Sequence, residues 1–123
     1  MVDGLERNDD YLIGFVSEAL ISGAINIREA HQWIYNLISK YDNLPTYIYD
    51  LPEANNWKEF DKIIGFHAYN TSETEFDALS GIAFVRGNIT DEEAISKKKA
   101  LKALKGNPQL EKRFRETFPF IEF

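Results

Sequence analysis

Asn26-Ile27-Arg28-Glu29-Ala30-His31-Gln32-Trp33-Ile34-Tyr35-Asn36-Leu37-Ile38-Ser39-Lys40-Tyr41 is the stretch that decides the fold class. Asn26 and Glu29 stand at capping-box spacing, where each side chain satisfies an orphan backbone donor near the other. Behind them Ala30, Trp33, Leu37 and Tyr41 recur every three to four residues, and Ile34 and Ile38 widen the stripe. A half-buried strand would alternate by two, so the spacing predicts a helix over 27–41.

The same punctuation recurs on both sides. Asn56-Trp57-Lys58-Glu59, Ser72-Glu73-Thr74-Glu75 and Thr90-Asp91-Glu92-Glu93 repeat the box, each ahead of an apolar-periodic run. An earlier helix is expected from Asn8 or Asp9 to Gly23, with Leu12, Phe15, Val16, Ala19 and Leu20 inward. A third runs over 56–64, burying Phe60, Ile63 and Ile64 before Gly65, unless Pro52 opens it a turn sooner. A fourth over 73–86 presents Phe76, Leu79, Ile82 and Ala83. A fifth starts after Thr90, with acids in its first turn suiting the helix dipole, and ends at Lys105. The sixth opens at Asn107-Pro108 and stops before Pro119.

The expectation is therefore all-α: one compact domain over 1–123, a bundle of five or six helices with Trp33, Leu37, Phe76, Leu79 and Ile82 in one core. One long loop, 42–55, interrupts it, and Tyr47-Ile48-Tyr49 within that loop reads as extended chain or a short strand. Phe118-Pro119-Phe120-Ile121-Glu122-Phe123 is too apolar for solvent and is expected to dock on the body.

Composition narrows the function classes. At 123 residues with 44% hydrophobic content, the chain suits one ordinary core. It has no cysteine, which removes disulfides, thiolate metal sites and cysteine nucleophiles and fits a reducing, cytoplasmic setting. Neither an apolar signal core nor a stretch of membrane-span length is readable. The net charge of −6 hides a polarity: residues 1–93 carry 17 acids against 6 bases, and residues 94–123 carry 3 against 8. Lys97, Lys98, Lys99, Lys102, Lys105, Lys112, Arg113 and Arg115 form the basic end, with Lys98, Lys102 and Lys105 on one helical face.

The chemistry-bearing residues give no catalytic constellation. His31 lies beside a buried stripe and reads as a hydrogen-bonded boundary residue, and His67 follows a helix stop. Neither has a second ligand at metal spacing, and no glycine-rich phosphate loop occurs. Glu73, Glu75 and Asp77, with Asn70 nearby, serve first-turn capping or offer a negative surface. No cofactor, metal or catalytic residue is assigned. The best functional signal is Tyr47, Tyr49, Asp50, Glu53, Trp57, Glu59 and Asp61, aromatic anchors among acids that suit a basic protein partner, with Glu73, Glu75 and Asp77 as a second acidic surface.

The opening Thr71-Ser72-Glu73-Thr74-Glu75-Phe76 is similar to the Thr-Glu-x-Glu-Phe start of the first helix in colicin-DNase immunity proteins. The resemblance implies a small acidic helical inhibitor, not an enzyme, that neutralises a basic toxin such as a nuclease; it transfers no binding residue. Two alternatives stand beside it: a nucleic-acid-binding regulator using the basic C-terminal helices, and a small enzyme using His67 with Asp50 or Asp61. Nucleic acid is not the expected partner, and neither is a membrane.

Overall fold

The computed structural model describes residues 2–66, 68, 71–88 and 95–123. Among them run seven α-helices: α1 (Tyr11–Ile21), α2 (Ile27–Lys40), α3 (Thr46–Asp50), α4 (Trp57–Ile64), α5 (Glu73–Arg86), α6 (Lys97–Lys105) and α7 (Pro108–Thr117), with a 3-10 turn at Leu51–Glu53. The described residues contain no strand, only an isolated antiparallel bridge between Glu6 and Asp9. The chain is all-α. Its contacts group into two compact units, residues 1–21 with 26–70 and residues 22–25 with 71–123.

In the first unit, local chemistry sets most helix ends. Asn26 accepts from the Glu29 N–H at 2.9 Å and Glu29 returns the bond to the Asn26 N–H at 2.9 Å, completing the capping box of α2. Asn56 caps α4 through the Glu59 N–H at 3.0 Å, and Gly65 ends it with φ 80° in the left-handed region. Ala30, Trp33, Ile34 and Leu37 are buried along α2, while Tyr41 lies past the helix end and is exposed. α1 starts at Tyr11, later than Asn8 or Asp9, because Glu6 to Asp9 form a closed turn. Ile13 to Leu20 are then buried without interruption.

The segment read as extended is helical. Thr46–Asp50 is α3, and Leu51 and Ala54 continue the turn by donating to the carbonyls of Tyr47 and Leu51. Pro52 belongs to this turn and does not open α4. Helical spacing places Ile48 and Leu51 on one face, and both are completely buried. Burying two such side chains contributes about 3–6 kcal/mol, against a β preference of Tyr and Ile spanning only about 1 kcal/mol. Packing overrides propensity.

In the second unit, Ser72 and Glu75 complete a capping box and Gly87, at φ 72°, ends α5. Leu79 and Ile82 are buried here, whereas Phe76 is only half-buried. α6 begins at Lys97, capped by the Ser96 hydroxyl accepting from the Lys99 N–H at 3.2 Å. Its first turn therefore holds Lys97, Lys98 and Lys99 in place of the expected acids. The Thr90 to Glu93 capping pattern lies outside the described residues. Asn107 and Pro108 open α7 as read, without a side-chain cap bond. Beyond α7 the chain folds back: Phe118 is completely buried 5.0 Å from the Phe114 ring, and Arg115 lies 4.0 Å over Phe123.

α5 and α6 cross closely at Gly81. A Cβ there would stand 2.5 Å from the Ala100 carbonyl oxygen and 2.8 Å from the Leu104 Cβ. Alanine would gain about 1 kcal/mol of helix propensity, but forcing apart a packed helix pair costs about 1–3 kcal/mol. Gly81→Ala is therefore expected to lower stability by about 1 kcal/mol. Chemical denaturation checks this; an increase in midpoint would show that the crossing has slack.

Candidate functional site

The first unit gathers a cation, two rings and several acids at one corner. Gly4, at φ 88°, turns the chain so that its carbonyl accepts from the Leu12 and Ile13 amides at 3.0 and 2.9 Å, capping α1 with backbone. The Gly4 N–H donates to the Asp9 carboxylate at 3.2 Å, and Glu6 and Asp9 exchange two backbone bonds of 3.0 Å. Arg7 sits at the tip of this closed turn and is exposed. Its guanidinium lies 5.5 Å from the Phe66 ring centroid and donates to the Gly65 carbonyl at 3.4 Å. No carboxylate among the described residues pairs with it.

Tyr47 forms the other wall. Its ring meets Phe66 edge to face at 5.9 Å, and its hydroxyl donates to the Leu5 carbonyl. Burial, reinforced by the nearby carboxylates of Glu6 and Asp10, raises the phenol far above its ordinary 10.0. The hydroxyl therefore remains a proton donor under any physiological condition. It is an anchor for the turn rather than an acid or base.

The other expected site residues divide between the units. Tyr49, Asp50, Glu53 and Trp57 are exposed on α3, the 3-10 turn and the start of α4, while Glu59 is engaged at the α4 cap and Asp61 is half-buried. Glu73, Glu75 and Asp77 belong to the second unit. There Glu75 is bound in the capping box and Asp77 faces Lys99 at 3.8 Å. Tyr47 is thus the only expected anchor at the Arg7 corner. His31 is the hydrogen-bonded boundary residue expected: its Nε2 lies 2.7 Å from the Ala54 carbonyl, which can only accept, so this nitrogen carries the proton. His67 and Asn70 lie outside the described residues.

Arg7 and Phe66 were not singled out from sequence. The available signal was Arg7's isolation, since it is the only base before Arg28 and stands among Asp3, Glu6, Asp9 and Asp10. Phe66 gave none, because its role comes from a turn far away in the chain.

The profile of the heat-labile enterotoxin alpha chain matches residues 4–111. The chain belongs to this family. Members of the enterotoxin family are ADP-ribosyltransferases, so the reading as a non-enzymatic immunity protein against a nuclease toxin is corrected. The capping sequence at Thr71–Phe76 that suggested it is a general helix start, realised here by Ser72 and Glu75. The match favours neither the nucleic-acid regulator nor the His67 enzyme. No curated protein and no solved structure matches the chain. No helix among the described residues is long and apolar enough to cross a membrane.

The Tyr47 phenol has a pH consequence. Its raised value in the folded state means that only the unfolded chain ionises as pH passes 10.0, so its contribution is complete below that pH and declines above it. Tyr47→Phe is expected to cost about 1–2 kcal/mol at neutral pH through the lost bond to Leu5, and to flatten the loss of stability above pH 10. Denaturation curves at neutral and alkaline pH check both; an unchanged alkaline slope would contradict the assignment.

Proposed function

We propose that the chain transfers ADP-ribose from NAD to a protein acceptor, with the Arg7 corner receiving the donor. The family match over residues 4–111 is the observation that carries this reading. The reaction breaks the bond between ribose C1′ and the nicotinamide nitrogen, whose electrons leave with neutral nicotinamide. An acceptor lone pair forms the new bond to C1′, and its proton departs. A donor of this kind brings a diphosphate, two flat rings and a developing positive charge on the ribose.

The corner offers a partner for each feature. Arg7's exposed fork of N–H donors suits a diphosphate better than a lysine's point charge. Phe66 holds the fork from below and, with Tyr47, adds aromatic surface for a base. Glu6, next to Arg7 in the chain, supplies a carboxylate to balance cationic charge on the ribose. The exposed acids and aromatics Tyr49, Asp50, Glu53 and Trp57 provide docking area for a basic acceptor protein, whose approach slows as salt rises. The cysteine-free composition supports action in the cytoplasm.

Release of nicotinamide from labelled NAD by the purified chain, with and without a basic acceptor, tests the reading. Arg7→Ala is expected to raise the KM for NAD about 10- to 100-fold, the value of a charge-assisted contact, while Glu6→Gln lowers kcat with KM nearly unchanged. Absence of nicotinamide release and of NAD binding in the unaltered chain would overturn the proposal.

A further inference from the structure

The second unit carries a strongly basic face that the proposed transferase chemistry does not use. α6 is pinned on its apolar side, with Ala100 and Leu104 buried and Ala100 against Gly81 of α5. Its other side exposes Lys98, Lys102 and Lys105, and Lys97 is exposed at the start of the helix. No acid among the described residues pairs with these four; the neighbouring bases Lys99, Lys112 and Arg115 are matched by Asp77, Glu116 and Glu111. Lys98, Lys102 and Lys105 follow one another at helical neighbour spacing and form a row about 10 Å long.

The helix's own electrostatics oppose this arrangement. Lys97, Lys98 and Lys99 occupy the first turn of α6, where the backbone dipole is already positive and acids are favoured. Lys97 and Lys98, which no acid among the described residues pairs with, stand at this positive end, so the helix gains when a polyanion approaches. The row is made of lysines on exposed stems, without an arginine fork or an aromatic ring between them. Such a set follows charge density rather than the shape of a base or a folded partner.

We propose that the exposed lysine face of α6 is a docking surface for an anionic lipid bilayer. The expected absence of a membrane partner rested on the lack of a spanning segment, and a surface contact needs none. Clusters of four or more bases on an amphipathic helix recognise anionic headgroups, each lysine near the surface being worth about fivefold in partitioning. Screening over about 8 Å at physiological salt makes the attraction local, so the net −6 of the chain does not by itself prevent it.

The test is sedimentation of the full chain with vesicles of phosphatidylcholine alone or mixed with phosphatidylserine, across a salt series. The chain is expected to follow the mixed vesicles only, and less so as salt rises. Lys98→Gln/Lys102→Gln/Lys105→Gln should lower that partitioning about 100-fold, whereas Lys58→Gln/Lys62→Gln on α4 should leave it near the original value. Circular dichroism melting of each variant confirms that the fold persists, and lysine-to-glutamine changes at exposed helix positions are well tolerated. Failure to bind mixed vesicles at low salt, or equal binding by the α6 triple variant, would overturn the proposal. Retention on a polynucleotide without vesicle binding would also overturn it, assigning the face to another polyanion.

Discussion

The first unit depends on the two hydrogen bonds that the Gly4 carbonyl accepts from the Leu12 and Ile13 amides. By accepting both, this carbonyl satisfies first-turn N–H groups of α1 that have no partner within the helix. A side chain at position 4 would face both a positive φ of 88° and a Leu12 Cβ only 2.7 Å away, which makes glycine the residue that fits. Once Gly4 is fixed, the closed turn to Asp9 follows, Leu5 is completely buried, and its carbonyl is positioned for the Tyr47 hydroxyl. Arg7 is carried to the tip of that turn. The placement of the cation is thus a consequence of how one helix begins.

Helix ends were legible in the sequence because caps are local chemistry. Asn26 with Glu29, Ser72 with Glu75, and Asn56 before Gly65 each act within a few residues, and the structure realises them at the positions read. α3 was not legible, because what favours helix over strand at Thr46–Asp50 is the joint burial of Ile48 and Leu51, a tertiary fact. The start of α6 was missed for a related reason. Ser96 caps it without a glutamate three residues on, so a search for full capping boxes passes over it and settles on Thr90.

The candidate site was less legible than the fold. Arg7 reaches the Gly65 carbonyl 58 residues further along, and no spacing rule connects the two. The aromatic and acidic residues that stood out by composition proved to have separate duties: Tyr47 anchors, Glu59 gives its amide to the Asn56 cap, Glu75 closes the α5 capping box, and Asp77 pairs with Lys99. The family match covers residues 4–111, whereas the resemblance to an inhibitor stood on six residues, Thr71 to Phe76, that make a general helix start. The charge polarity does persist into the structure, as an exposed lysine face in the second unit and exposed acids on α3 and the following turn in the first.

The most direct measurement of the central claim is a titration of the isotopically labelled chain with NAD, followed amide by amide by NMR. The account predicts saturable shifts concentrated at Gly4 to Asp10, Tyr47 and Phe66, with the amides of α6 and α7 unmoved. Saturable shifts confined to α6 and α7, or no shifts at any NAD concentration, would contradict it.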